Sequence, residues 1–290
     1  LVADFSTIVE AFDPALRLKM IDVGAAQFED LHGRFVALAR KFGGELFSFE
    51  PNAEQHRLLQ KKFADCDDVH LLPVAIADGR ERELKLCRHP GGSSLFEPNL
   101  ELACRYRSFG EWLEVVERVP VKTVTLDSVD PIRGADFLKL DIQGAELEAL
   151  MGAAELLSTI LVIECEVNFV QQYVGQPLFA EIELFLRRHG FMFHRFSGYG
   201  SRVLEDAACG GDPLQPGNQW LWSDAIFVRD LAQWPSLTNQ QLIKIAVYMH
   251  ELYASDDFAH HALAIVDGRA NTGLAKSFAT LTRAEGTAPR

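Results

Sequence analysis

Asp141 and Glu166 are the residues of this sequence whose type and placement look most like a reactive site. Each closes a short apolar run: Phe137, Leu138 and Leu140 lead into Asp141, and Ile160, Leu161, Val162 and Ile163 lead towards Glu166. In an open α/β sheet, ligands bind just outside the carboxyl ends of the strands, so acids delivered by neighbouring strands to one edge face one crevice. Carboxylates there can take a proton from a substrate hydroxyl or clamp it. With Asn168 just beyond, Asp141 and Glu166 also make an all-oxygen set of the kind magnesium prefers. Lys139 shares the face of Asp141 two residues on and is expected to balance its charge. An acid near a helix N-terminus is favourable without any function, but repetition of the pattern on a second strand favours a site.

A second group reads as a cofactor end. Met20-Ile21-Asp22-Val23-Gly24-Ala25-Ala26 is a strand running into a small-residue turn. Gly24 and Ala25 allow a ligand close to the backbone, and Asp22 offers a carboxylate at the strand end. The dinucleotide fingerprint needs three glycines; here Ala26 and Phe28 or Glu29 stand where glycines belong, which weakens a pyrophosphate reading. Glu50 closes the next strand (Leu46, Phe47, Phe49), and Pro51-Asn52 follows. A carboxylate at that point can accept the protons of both ribose hydroxyls, with Asn52 as the helix cap. After a third strand, Ala77 and Asp78 are expected at the adenine edge, although Asp78-Gly79 is also an ordinary turn.

These residues need a parallel sheet to position them. Short apolar runs alternate with amphipathic stretches, the pattern of a sheet covered by helices. Strands are predicted at 20–24, 45–49, 69–77, 137–141 and 160–166, and helices at 31–42, 53–64, 145–157 and 177–189. Segments 191–196 and 225–229 finish the sheet edge. A strand pair at 83–87 and 119–124 brackets an insertion holding a turn-rich loop, His89-Pro90-Gly91-Gly92-Ser93-Ser94, and a helix over 100–116. After Asp230, Thr238 caps a helix to about Leu252 and a second spans 256–266, with a small, polar tail beyond. These helices must pack on the main domain or on another subunit; a homodimer is the corresponding hypothesis.

Composition narrows the class. The chain has 290 residues, 48% hydrophobic and 24% charged, with mean hydropathy near zero, which suits a globular protein with a substantial core. A net charge of -13 argues against binding along a nucleic-acid backbone, which needs a basic surface. The apolar runs are too short to span a bilayer, and LVADFSTIVE shows no secretory pattern. Cys66, Cys87, Cys104, Cys165 and Cys209 lack zinc-site spacing and fit reduced thiols, so a cytoplasmic location is expected.

The string Lys139-Leu140-Asp141-Ile142-Gln143-Gly144-Ala145-Glu146, with Leu126-Asp127 upstream, resembles the FkbM family of S-adenosylmethionine-dependent methyltransferases. So do Glu166-Val167-Asn168-Phe169, Tyr173, Gly175-Gln176-Pro177, Leu178-Phe179, Gly190-Phe191 and Trp222-Ser223-Asp224-Ala225-Ile226-Phe227. The resemblance covers roughly 20–230. It implies a Rossmann-like class I methyltransferase fold, a mostly parallel doubly wound sheet with an antiparallel edge. Residues 1–230 would form the methyltransferase domain and 231–290 a C-terminal helical extension and tail. It implies transfer of the methyl of S-adenosylmethionine to a hydroxyl of a saccharide or other small hydroxylated metabolite. The cofactor would lie against Asp22, Gly24, Ala25, Glu50, Pro51, Ala77, Asp78 and Ser94, the last in a loop resembling one that closes over the site. Asp141 would be base or metal ligand, Glu166 its partner or acceptor clamp, with or without magnesium. A nicotinamide-dependent oxidoreductase and a non-catalytic Rossmann-like module are the alternatives.

Overall fold

The computed structural model describes residues 4–25, 31–207, 212 and 214–284; Ala26, Gln27, Phe28, Glu29, Cys209 and the last six residues lie outside them. The main sheet holds seven strands: β1 (Leu18–Val23), β2 (Gly44–Phe49), β3 (Val69–Leu72), β7 (Phe137–Leu140), β8 (Val162–Asn168), β9 (Phe191–Ser201) and β10 (Trp220–Arg229). A small sheet holds β4 (Ala75–Ile76), β5 (Glu81–Cys87) and β6 (Val115–Val124). The main order is β3-β2-β1-β7-β8-β10-β9, parallel except for the pairings of β10. Reversal of strand order beside β1 puts a crevice at the carboxyl ends of β1 and β7. This is the Rossmann-like methyltransferase arrangement, with its antiparallel edge.

Helices cover both faces. On one lie α1 (Phe5–Phe12), α2 (Leu31–Phe42), and the C-terminal α8 (Asn239–Tyr253), α9 (Asp256–Ala270) and α10 (Leu274–Ala284). They share one core with Met20, Phe137, Val162 and Val228 of the sheet. On the other, α6 (Glu146–Met151) and α7 (Phe179–Arg188) pack on Ile21, Leu138, Ile163 and Phe227. The remaining helices are α3 (Ala53–Lys62), capped by Asn52, and two short ones in the insertion, α4 (Leu100–Ala103) and α5 (Phe109–Trp112).

Several elements differ from expectation. The strand expected at 69–77 is two strands in two sheets: Pro73 has no N–H to give the ladder, and the chain leaves the main sheet there. The helix expected over 100–116 is α4 and α5, interrupted where Ser108 takes a left-handed conformation (φ 57°) and ended before Val115 enters β6. The helix expected over 145–157 stops at Met151, and the small, polar tail contains a third C-terminal helix, α10, which buries Leu274, Ala275, Phe278 and Leu281. Among the described residues, no helix is long and apolar enough to cross a membrane.

Candidate active site

Strand register explains why this sheet carries a site at one end. The face towards α2 and α8 begins apolar, with Met20, Phe137, Val162 and Val228 in a cross-strand row. Two residues along each strand, the row becomes Ser48, Asp22, Lys139, Glu164 and Ile226. Two further, Glu166 stands directly opposite Asp224. The opposite face stays apolar throughout (Ile21, Val23, Leu138, Leu140, Cys165, Val167). Side-chain alternation thus drives a charged layer into the top of an otherwise oily sheet.

Buried charge must be balanced, and Lys139 does most of it. Its ammonium lies 3.1 Å from Asp141 and 3.9 Å from Asp22. Burial opposes its charge, but Asp141, Asp22, Glu164 and Asp224 together hold its pKa well above the ordinary lysine value. Arg34 of α2 pairs with Glu164, and the Tyr253 hydroxyl of α8 donates to the same carboxylate at 2.8 Å. The C-terminal helices therefore seal the charged layer from below.

Above it opens a cavity of about 590 Å³, within the range typical of small-molecule sites, about 300–1,000 Å³. Its cofactor-like end is formed by Gly24, Glu50, Pro51, Asn52, Gln55 and the segment Val74-Ala75-Ile76. Gly24 has φ +87° and a Cβ on it would overlap the Asp141 carbonyl oxygen. The turn after β1 is thereby pressed against the turn after β7, whose Asp141 N–H donates to Val23 at 2.9 Å. Glu50 is buried and its Oε1 accepts from the Asn52 N–H at 2.7 Å, which fixes the carboxylate at the end of β2.

The opposite end gathers Asp141, Glu166 and Asp224 with Lys139, Gln143 and Gln172. Gln143 organises it. Its amide nitrogen donates to Asp141 Oδ1 at 2.8 Å and to Glu166 Oε2 at 2.6 Å. The Tyr173 hydroxyl lies 3.0 Å from Gln143 Oε1 and 2.9 Å from the Gly92 carbonyl. To reach both acids Gln143 adopts φ 53°, a left-handed conformation costly for a side-chain-bearing residue. Glu146 compensates by accepting from the N–H groups of Ile142 and Gly144 at 2.9 and 3.0 Å. Ser94 Oγ donates to the Gln143 carbonyl at 2.6 Å, tying the 89–94 loop to the same turn.

Electrostatics sort the acids. Both oxygens of Asp141 already take donors, one from Lys139 and one from Gln143. Burial, then Asp141, Glu146 and Asp224, push Glu166 well above the usual carboxylate range. Asp224 is pushed up to about 7, by burial and by Glu164, against the pull of Lys139. A carboxylate titrating near neutrality in a cavity wall suits general-base work.

The cavity brings together Gly24, Glu50, Pro51, Ser94, Lys139, Asp141 and Glu166 of the residues singled out by sequence. Asp22 is buried below it beside Lys139, and Ala25 is buried with its N–H on the Phe49 carbonyl. Ala77 and Asp78 lie outside the described lining: Ala77 hydrogen-bonds Val124, and Asp78 faces Arg80 and Arg82. The chain turns away after Pro73, so Val74-Ala75-Ile76 supplies the edge that Ala77 and Asp78 were expected to form. Asn168 is also outside the lining, with its Oδ1 held by Gln172. The all-oxygen set of Asp141, Glu166 and Asn168, one of the two readings of these residues, is thus not assembled around the cavity. Where a cation would sit, Lys139 and the Gln143 amide already present N–H donors, and these residues do not fit a metal. Among the described residues, no group of three or more His, Cys, Asp or Glu could hold one.

In the sequence, Asp224 and Gln143 stand out only within the strings that resemble the family. The signal for Asp224 was its antiparallel pairing with Glu166, which needs the register. Missed too were the wall residues Phe109, Trp112, Tyr199 and Trp222, which converge from three distant segments.

Residues 22–193 match the profile described as the methyltransferase FkbM domain. The chain is 28% identical over 188 residues to the 2-O-methyltransferase NoeI of Sinorhizobium fredii, covering 61% of this chain and 73% of that protein. Among solved structures it is similar to the precorrin-6y C5,15-methyltransferase from Geobacter metallireducens, with 14% identity, a TM-score of 0.35, and coverage of 78% and 88% of the two chains. A SAM-dependent methyltransferase from Aquifex aeolicus gives 11% identity and a TM-score of 0.32, covering 78% of this chain and 90% of that one. The chain belongs to the FkbM methyltransferase family.

Proposed function

We propose that this methyltransferase uses S-adenosylmethionine to O-methylate a hydroxyl of a saccharide or other small hydroxylated metabolite. The observation that carries the reading is one cavity whose lining includes both a slot of Gly24, Glu50, Pro51 and Val74-Ala75-Ile76 and a carboxylate cluster of Asp141, Glu166 and Asp224. The slot suits the donor. Glu50 would take the ribose hydroxyls, Gly24 would let the chain approach, and Val74 and Ile76 would flank the adenine. When bound, the donor supplies an electrophilic methyl on a sulfonium.

The protein's own task is to hold an acceptor hydroxyl in line and remove its proton. Asp141, fixed as an acceptor by Lys139 and Gln143, orients the hydroxyl. Asp224, opposite Glu166 and titrating at about 7, takes the proton. Glu166, its carboxyl raised by burial and by the neighbouring acids, accepts from the Gln143 amide and clamps the acceptor beside Asp224. The 89–94 loop closes the wall, with Ser94 on the Gln143 carbonyl excluding water from the cluster.

The test is incubation with methyl-labelled S-adenosylmethionine and a panel of saccharides and polyols, followed by mild alkali. The expected product is a label that survives alkali, as an ether does. Label released by alkali would show methyl ester formation on a carboxylate and contradict the O-methylation of a hydroxyl.

A further inference from the structure

The acceptor end continues past the carboxylates onto the protein surface. Tyr199 of β9 lines the cavity, and its ring continues outward against Trp220 of β10, with centroids 4.8 Å apart and planes within 9°. Both rings stay open to solvent, 57% and 42% exposed. Trp220 is nevertheless braced, by Phe169 and Phe196, each with its ring centre 6.1 Å away. Behind Tyr199 the wall is also aromatic. Trp222 stacks on Phe109 at 5.8 Å, and the Arg202 guanidinium lies 4.9 Å from Trp112 and 5.4 Å from Trp222. Gly200 permits this, since a Cβ there would run into the Trp222 ring. Large aromatics held rigid yet exposed, and continuous with a cavity, mark a binding surface.

We infer that Tyr199 and Trp220 form an outer subsite for a second, non-reacting ring of a neutral oligosaccharide acceptor. This rests on the function proposed above, since the reacting ring is the one that enters the cavity. A pyranose has a face of C–H groups with partial positive charge and a rim of hydroxyls. The C–H face complements the negative face of an aromatic ring, while the rim stays in water at an exposed platform. The acceptor is neutral because Asp141, Glu166 and Asp224 line the inner end and the chain carries a net charge of -13. Of the nearby cations, Lys139 is committed to carboxylates, and Arg202 lies over Trp112 and Trp222. Binding of a ring remote from the reaction can be used to align the reacting one.

The experiment screens the intact protein, saturated with S-adenosylhomocysteine, on an array of neutral and acidic glycans and follows hits by calorimetry. Neutral glycans of two or more rings are expected to bind more tightly than their monosaccharides. Trp220→Ala should weaken the longer glycan roughly tenfold or more and leave the monosaccharide unchanged, and Trp220→Phe should restore most of the loss. Tyr199→Ala, a second route to the same loss, covers the case in which Trp220→Ala fails to fold. No neutral glycan bound, equal affinity for one and several rings, a preference for acidic glycans, or affinity untouched by both alanine variants would each overturn the subsite. If S-adenosylhomocysteine itself fails to bind the unaltered protein, the methyltransferase reading falls, and the subsite with it.

Discussion

Asp224→Asn is expected to slow methyl transfer by about 10²–10⁴-fold, the usual worth of a positioned general base, while the protein still binds the methyl donor. Asp224 faces Glu166 across the β8–β10 pairing and lines the acceptor end of the cavity. Its carboxyl is pushed up to about 7 by burial and by Glu164. In the unaltered protein the rate should therefore rise with pH through about 7 as Asp224 ionises, and that limb should vanish in the variant. Stability should move the other way. An acid whose pKa is raised on folding contributes stability that is complete below its unfolded pKa, near 4, and lost as pH rises through the folded value. Asparagine carries no such loss, so the variant should melt higher than the parent at pH 8 and show no such gain at pH 4. Rates over pH 5–9, with the acceptor found by the labelled-methyl screen, and melting curves at the two pH values check both parts. A full rate with an unchanged pH limb would move the base to Glu166 or Asp141.

Lys139→Met should be the most destabilising single change in the charged layer, by about 3–5 kcal/mol near neutral pH, or roughly 6–20 °C in Tm for a chain of this size. Methionine fills similar space, so the loss is electrostatic. It takes away the ammonium that lies 3.1 Å from Asp141 and 3.9 Å from Asp22. Arg34 cannot replace it, being paired with Glu164. Because the carboxylates raise the pKa of Lys139 above its ordinary value, its own contribution would be lost only at strongly alkaline pH. The pH dependence of the variant comes from Asp224 and Glu166, whose carboxyls burial raises and Lys139 holds down: without the lysine they take up protons more readily as pH falls, and repulsion in the layer drops. The deficit should thus narrow between pH 8 and pH 5, measured by urea unfolding. A deficit equal at both would mean that Lys139 acts by packing alone.

What could be read from the sequence, and what could not, follows from which interactions are local. Asp141, Glu166 and Glu50 were legible because each ends an apolar run, and the fold puts the ends of parallel strands at one crevice. The adenine edge was displaced because a single residue, Pro73, ends β3 and sends the chain into another sheet, so Ala77 and Asp78 serve a turn. The role of Gln143 depends on a left-handed φ that composition does not announce in a residue other than glycine or asparagine. Asp224 became relevant only through the antiparallel register that sets it opposite Glu166. Tyr253 and Arg34 reach the charged layer from helices far apart in sequence. The buried stripe of α10 (Leu274, Phe278, Leu281) was overlooked because small and polar residues surround it.

The most direct measurement is calorimetric titration of the purified protein with S-adenosylmethionine, beside NADH, with and without magnesium, and with Glu50→Ala as the comparison. Glu50 closes β2 in the cavity wall, held by the Asn52 N–H. The expected result is micromolar binding of S-adenosylmethionine, indifferent to magnesium, absent for NADH, and lost in Glu50→Ala. Absence of S-adenosylmethionine binding under every condition would contradict the donor site and leave a non-catalytic Rossmann-like module as the reading. Tight binding of NADH instead would return the site to hydride chemistry.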